Sequence, residues 1–177
     1  ARMAEIQALQ HNPYLVLKYG RMALHHAKHA HSLRGIMGGY NCIAGAHEMA
    51  WNQKTVSAGF KGSLDSVFYY RKLAFKYAKK LNNPIDLALS YQFLGNDFAS
   101  INQMDSSLTY KLKALEIYRK GKNTNNIVEI CTEIGIDFLK QKNIAIYSAT
   151  LQNATVYDSQ DYTIPSAIVV GTEATGL

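Results

Sequence analysis

The chain has 177 residues, of which 47% are hydrophobic, and a formal net charge of +6. A chain of this length buries about 70% of the surface that it exposes when unfolded, so it can form a sizeable core. Its apolar content argues against disorder, and no apolar run is long enough to span a membrane. Composition therefore argues against a disordered chain and against a membrane-spanning one, and we expect a folded cytoplasmic protein with no membrane partner.

The positive charge is compatible with an RNA partner. Lys and Arg, however, are spread over the faces of predicted helices, without a local run. Such a distribution favours a solvated cationic surface over a nucleic-acid site.

From residue 14 to residue 142 the apolar residues recur with helical spacing, and polar breakers separate the periodic segments. We predict three antiparallel helix pairs stacked in one right-handed array. Their ranges are 14–31 with 34–52, 65–81 with 85–102, and 105–121 with 126–142.

An internal repeat of forty residues lies within this region. The string Tyr91-x-x-Leu94-Gly95-x-x-Phe98 is echoed by Cys131-x-x-Ile134-Gly135-x-x-Phe138, and a poorer copy surrounds Ala44-Gly45. Gly95 is followed nineteen residues later by Ala114, a small residue in the next predicted helix. Small residues at facing positions let two helices pack closely, so we expect Gly95 to lie at a close helix contact.

This pattern resembles the tetratricopeptide repeat. The resemblance implies a mainly α fold, a tetratricopeptide-like array of helix pairs over residues 1–142. It also implies a concave face that holds a protein or peptide segment.

Three other features of the helical region have simpler interpretations. His25 and His29 are spaced as zinc ligands on one helix face can be, but no third ligand is near them and a solvated face is favoured. The cysteines, Cys42 and Cys131, have no motif spacing and are expected to be reduced thiols. The tyrosines of the repeats are expected to pack between helices rather than stack on bases. They are Tyr69, Tyr70, Tyr77, Tyr91, Tyr110 and Tyr118.

The C-terminal residues differ in kind. Ser166 to Val170 form a β-branched run typical of a buried parallel strand, and the run ends at Gly171. An alternating stretch begins at Asn143 and favours a second strand near 144–149. The alternative is that 143–157 form the next repeat helix, because Ala154 lies nineteen residues after Gly135. The string Gly-Thr-Glu-Ala-Thr-Gly-Leu that ends the sequence closely resembles the second motif of the SpoU-type RNA 2′-O-methyltransferases of the SPOUT superfamily.

The resemblance implies that residues 143–177 are a partial SPOUT segment, a short α/β fragment with two parallel strands. It implies that S-adenosylmethionine is the cofactor and that tRNA or rRNA is the substrate. The cofactor-binding residues that it implies are Thr150, Leu151, Gly171, Glu173, Gly176 and Leu177. No segment matches the family's catalytic arginine motif or its third motif, so no catalytic residue is assigned and we expect the chain alone to be inactive. The sequence thus predicts a helical-repeat interaction scaffold with an incomplete cofactor segment, and the alternative is that the chain is part of an RNA ribose methyltransferase.

Overall fold

The computed structural model describes residues 12–54, 56–57, 59–149 and 163–170. The described part is mainly helical, as the sequence predicts. Its six helices are α1 (Pro13–His29), α2 (Leu33–Gln53), α3 (Leu64–Leu81), α4 (Pro84–Ser100), α5 (Met104–Lys120) and α6 (Thr124–Gln141). Each predicted helical range agrees with one of these helices to within a few residues.

Within the described residues, four strands form two small sheets. Strands β1 (Val56–Ser57) and β2 (Phe60–Lys61) make an antiparallel hairpin between α2 and α3, a stretch that the sequence did not predict as strand. Strands β3 (Ala145–Ala149) and β4 (Ser166–Val170) pair in parallel, with Ala145 opposite Ser166 and Ala149 opposite Val170. The parallel pair expected near 144–149 and 166–170 is therefore present. The predicted loop from Gly171 to Leu177 lies outside the described residues.

Local chemistry explains where the helices begin. Asn12, Ser32, Ser63, Asn83 and Asn123 each occupy an N-cap, and each side-chain oxygen accepts a hydrogen bond from a backbone N–H in the first helical turn. These bonds satisfy amide groups that have no partner within the helix, so they fix the starts of five of the six helices.

Consecutive helices run antiparallel, as their side-chain contacts show. Between α3 and α4, Phe75 meets Tyr91 near one end and Phe68 meets Phe98 near the other. Contacts are most extensive for α1 with α2, α2 with α3, and α4 with α5, whereas α3 with α4 is the least extensive consecutive pair. Two of the predicted pairs, 65–81 with 85–102 and 105–121 with 126–142, are therefore adjacent but are not the most closely packed ones.

Glycine explains the close α4–α5 contact. A Cβ atom built on Gly95 would lie 2.7 Å from Cγ of Lys111 and 3.2 Å from the backbone oxygen of Ser107, both on α5. Any larger residue would force these groups apart, so the predicted close contact at Gly95 is confirmed.

The repeat tyrosines pack mainly between helices. Tyr118 is fully buried in the largest core cluster, and its hydroxyl donates to Oε1 of Gln92 at 3.0 Å. Tyr91 lies beside Tyr110, with ring centroids 6.1 Å apart. Tyr69 is the exception, with 59% of its surface exposed.

Candidate functional site

A groove of about 460 Å³ opens between α2 and α4, with α3 behind it. Its lining consists of Asn41, Cys42, Gly45, Glu48, Met49, Asn52, Arg71 and Phe93. The first six belong to α2 and lie on one helix face, since they recur at intervals of three and four residues. Arg71 comes from α3 and Phe93 from α4. Three consecutive helices thus form this site.

Arg71 occupies the base of the groove and is only 5% exposed. Its guanidinium donates to both carboxylate oxygens of Asp97 on α4, at 3.3 and 3.1 Å, and to Oε2 of Glu48 on α2, at 3.1 Å. It also donates to the side-chain and backbone oxygens of Asn41 and lies 4.4 Å from the ring centroid of Phe93. The planar fork of arginine suits this divergent set of acceptors, so the side chain is held rigidly.

This cluster has two carboxylates for one cation. Burial raises the pKa of Asp97 to about 7, although the Arg71 guanidinium lowers it and Glu48 raises it further. Removing this carboxylate from water thus costs more than the ion pair returns, as is common for buried pairs. Glu48 keeps 27% of its side chain exposed on the groove side, so the site offers a solvent-accessible negative charge.

The other lining residues leave room for a ligand. Apart from the backbone of its own helix, a Cβ atom built on Gly45 would have no described atom within 4 Å, and the absence of a side chain there contributes to the width of the groove. Met49 and Phe93 supply apolar surface. The pKa of the Cys42 thiol is raised, chiefly by burial, so this thiol is a weak nucleophile.

An equivalent cluster lies forty residues further along the chain. Nζ of Lys111 on α5 lies 2.8 Å from Asp137 and 3.7 Å from Glu133, both on α6. Asp137 also accepts a hydrogen bond from the hydroxyl of Ser107. Arg71 and Lys111, like Asp97 and Asp137, occupy matching positions of the repeat. The recurrence of a cation and an aspartate at matching repeat positions was therefore a sequence signal for buried charge. The pattern within one helix does not show which of its polar residues face the interior.

Thr150, Leu151, Gly171, Glu173, Gly176 and Leu177 all lie outside the described residues. Only the two strands that would lead to them, β3 and β4, are described.

His25, His29, Cys42 and Cys131 lie on helices, as predicted. His25 and His29 share the exposed face of α1, with ring centroids 4.5 Å apart. Within the part of the chain that the structure describes, no group of three His, Cys, Asp or Glu side chains could hold a metal ion. Cys42 and Cys131 are free and lie in α2 and α6. None of the six helices is long and apolar enough to cross a membrane.

Comparisons of the chain with protein-family models, with curated proteins and with solved structures each found no match.

Proposed function

We propose that residues 13–142 form a tetratricopeptide-like helical-repeat scaffold that binds an extended peptide segment in the groove between α2 and α4. The observation that carries this proposal is the groove itself, which is open at Gly45 and has a rigid charged base at Arg71. We place this role in the cytoplasm, where free thiols such as Cys42 and Cys131 persist.

The chemistry of the groove points to the kind of peptide. A volume of about 460 Å³ is in the range of ligand pockets and holds one or two side chains. Met49 and Phe93 suit an apolar anchor residue. Glu48 suits a neighbouring Lys or Arg, because Arg71 is already shared between two carboxylates. We therefore expect a peptide with an apolar residue next to a basic one.

Polar side chains on α2 can orient such a peptide. The side-chain oxygen of Asn41 accepts from Arg71, which directs its amide N–H₂ group away from the guanidinium. The side chain of Asn52 makes no hydrogen bond to another described residue. Asparagine side chains both donate and accept, as hydrogen bonding to an extended backbone requires.

A displayed library of random peptides, selected on the purified chain, tests the proposal. Selected peptides should share an apolar–basic pair and should lose binding to Gly45→Phe, which fills the groove. Gly38→Phe is the matched control, because Gly38 lies on the same helix, also has open space at its Cβ position and does not line the groove. Equal binding by both variants would refute the groove as the site.

A second proposal concerns residues 143–177. We infer that this segment is the partial cofactor region of a SPOUT-type RNA 2′-O-methyltransferase. The parallel pairing of β3 with β4 supports this, since a parallel connection requires a crossover and is uncommon in an all-helical repeat protein. The proposed S-adenosylmethionine contacts are Thr150, Leu151, Gly171, Glu173, Gly176 and Leu177.

Calorimetric titration with S-adenosylmethionine tests this second proposal. We expect weak binding that Gly171→Trp abolishes, because an incomplete pocket loses most of the contacts that orient a ligand. We also expect no methyl transfer to bulk tRNA or rRNA. Heat changes identical for the chain and for Gly171→Trp would argue against a cofactor segment.

A further inference from the structure

Three interhelical turns lie along one edge of the array. They are residues 30–32 between α1 and α2, residues 82–83 between α3 and α4, and residues 121–123 between α5 and α6. Because consecutive helices are antiparallel, every second turn is at the same edge.

Contacts between neighbouring turns confirm this arrangement. Nη2 of Arg34, at the start of α2, lies 2.7 Å from Oδ2 of Asp86, at the start of α4. A Cβ atom on Gly121, in the third turn, would lie 3.7 Å from Cδ1 of Ile85, also at the start of α4. The three turns therefore form one continuous surface, which we call the turn edge.

The turn edge is strongly basic. Its exposed cationic and imidazole side chains are Lys28, His29, His31, Arg34, Lys79, Lys80, Arg119, Lys120 and Lys122. The carboxylates at this edge are already paired: Asp86 with Arg34, and Glu116 with Lys120 at 2.7 Å. Glu129 lies further from the edge, in the second turn of α6. The expectation that Lys and Arg are spread without a cluster is thus corrected for this edge, because residues that are far apart in sequence meet there.

The opposite edge has no such excess. It carries Lys54, Lys61, Lys140 and Lys142, together with Asp65 at the start of α3 and Asp105 at the start of α5. Oδ1 of Asp105 accepts from Gln141 at 2.7 Å. The two edges therefore differ in charge although the helices that form them are the same.

Helix dipoles account for only part of the asymmetry. Cations are favoured in the last turn of a helix, which explains Lys79, Lys80 and Arg119. They are disfavoured in the first turn, yet Arg34 occupies the first turn of α2. Neither α2 nor α6 has an acidic residue in its first turn. The turn edge is thus more basic than helix stability requires.

We propose that the turn edge binds the phosphate backbone of a nucleic acid without reading its bases. The starts of α2 and α4 are in direct contact, so successive turns of this edge are separated by one spacing between neighbouring helices. That spacing is about 8–10 Å, so three turns span roughly 20 Å. One strand of a duplex has a phosphate every ~3.4 Å along its axis, so about six phosphates can lie beside this edge. Such contacts depend on charge alone, and they position the protein without sequence specificity.

The same edge is poorly suited to a lipid surface. Its most accessible large apolar side chains are Leu33 and Ile85, and only 37% and 38% of their surfaces are accessible. Among the described residues of the three turns there is no Trp, Tyr or Phe to insert at a membrane interface.

Fluorescence anisotropy with a labelled 20-nucleotide RNA, alone and as a duplex, tests the proposal on the full chain. With six phosphate contacts, the logarithm of the affinity for the single strand should fall against the logarithm of salt concentration with a slope of about −4. The variant Lys28→Gln/Lys80→Gln/Arg119→Gln/Lys122→Gln should bind at least tenfold more weakly in 50 mM salt and should flatten the slope to about −1.5.

The matched control removes the same charge from the opposite edge, as Lys54→Gln/Lys61→Gln/Lys140→Gln/Lys142→Gln. It should retain most of the affinity and slope, and thermal unfolding should show that both variants are folded. Equal losses in the two variants would mean that net charge alone causes binding and would overturn the proposal. So would a failure of the wild-type chain to bind either RNA, or tighter binding to phosphatidylserine vesicles than to RNA.

Discussion

The two copies of the forty-residue repeat share a buried ion pair but differ in whether their glycine is covered by another helix. Each copy buries a cation of one helix against an aspartate of the next, Arg71 with Asp97 and Lys111 with Asp137. Gly95 of the first copy is buried against α5, but apart from the backbone of its own helix no described atom lies within 4 Å of a Cβ position on Gly135. The difference arises from the next element in the chain, because α5 covers α4, whereas α6 is succeeded by a strand. One motif can therefore be part of a core or part of a surface, depending on the element after it.

The largest expected effect is on the feature that the copies share. Arg71→Met should lower the free energy of unfolding by about 3–5 kcal/mol, because it leaves Asp97 and Glu48 without their cation. Lys111→Met should cost a similar amount. Urea denaturation measures both. The neighbouring Lys72→Met is the exposed control and should change stability by less than about 0.5 kcal/mol.

Removing both members of the first pair sharpens this test. Arg71→Met combined with Asp97→Leu should recover part of the loss, because the fully buried carboxylate is then removed and only the partly exposed Glu48 is left without its cation. A double variant as unstable as the sum of the two single ones would show that the pair is not coupled.

The glycines test the feature in which the copies differ. Gly95→Leu should destabilise the fold by about 1–3 kcal/mol through overpacking against Lys111 and Ser107. Gly135→Leu should be neutral or stabilising by up to about 1 kcal/mol, since it improves helix propensity in open space. Chemical denaturation of the two variants in parallel measures both changes in the free energy of unfolding. Equal destabilisation would mean that the outer face of α6 is covered.

A dependence of stability on pH is expected from the first copy. The folded-state pKa of Asp97 is raised to about 7 from an ordinary value of 3.8, so the folded chain binds an extra proton between these values. The contribution of Asp97 to stability is thus full below about pH 4 and is lost as the pH rises through about 7, by at most ~1.4 kcal/mol per pH unit. Thermal unfolding between pH 5 and pH 8 should show this decline, and Asp97→Asn should remove it. A wild-type profile parallel to that of Asp97→Asn would contradict the raised pKa.

Much of the helical part can be derived from local sequence rules. Helical spacing and the polar breakers between the periodic segments set the helix ranges. Gly95 was correctly expected at a close helix contact, although its neighbour is α5 and not the predicted partner 65–81. Which neighbours pack most closely was not predictable, because α3 and α4 are joined by a two-residue turn yet meet least extensively. The groove was missed for a related reason. Arg71 lies in a helix whose neighbouring lysines are exposed, and only tertiary packing turns its side chain inward.

The basic turn edge could not be predicted from the sequence either. Lys28, Lys80 and Lys122 are each about forty to fifty residues apart, so no window along the chain contains two of them. They meet only because antiparallel helices bring alternate turns to one side. The proposed cofactor contacts at the C-terminus, in contrast, depend on the resemblance alone.

Arg71 also has a consequence for how the molecule opens. It hydrogen-bonds to α2 and α4 from its own position on α3, so none of these three helices can separate without leaving a buried charge unpaired. Local unfolding that exposes one of them should therefore expose all three. Amide protons in the centres of α2, α3 and α4 should exchange with solvent as one cooperative unit, with similar free energies of opening.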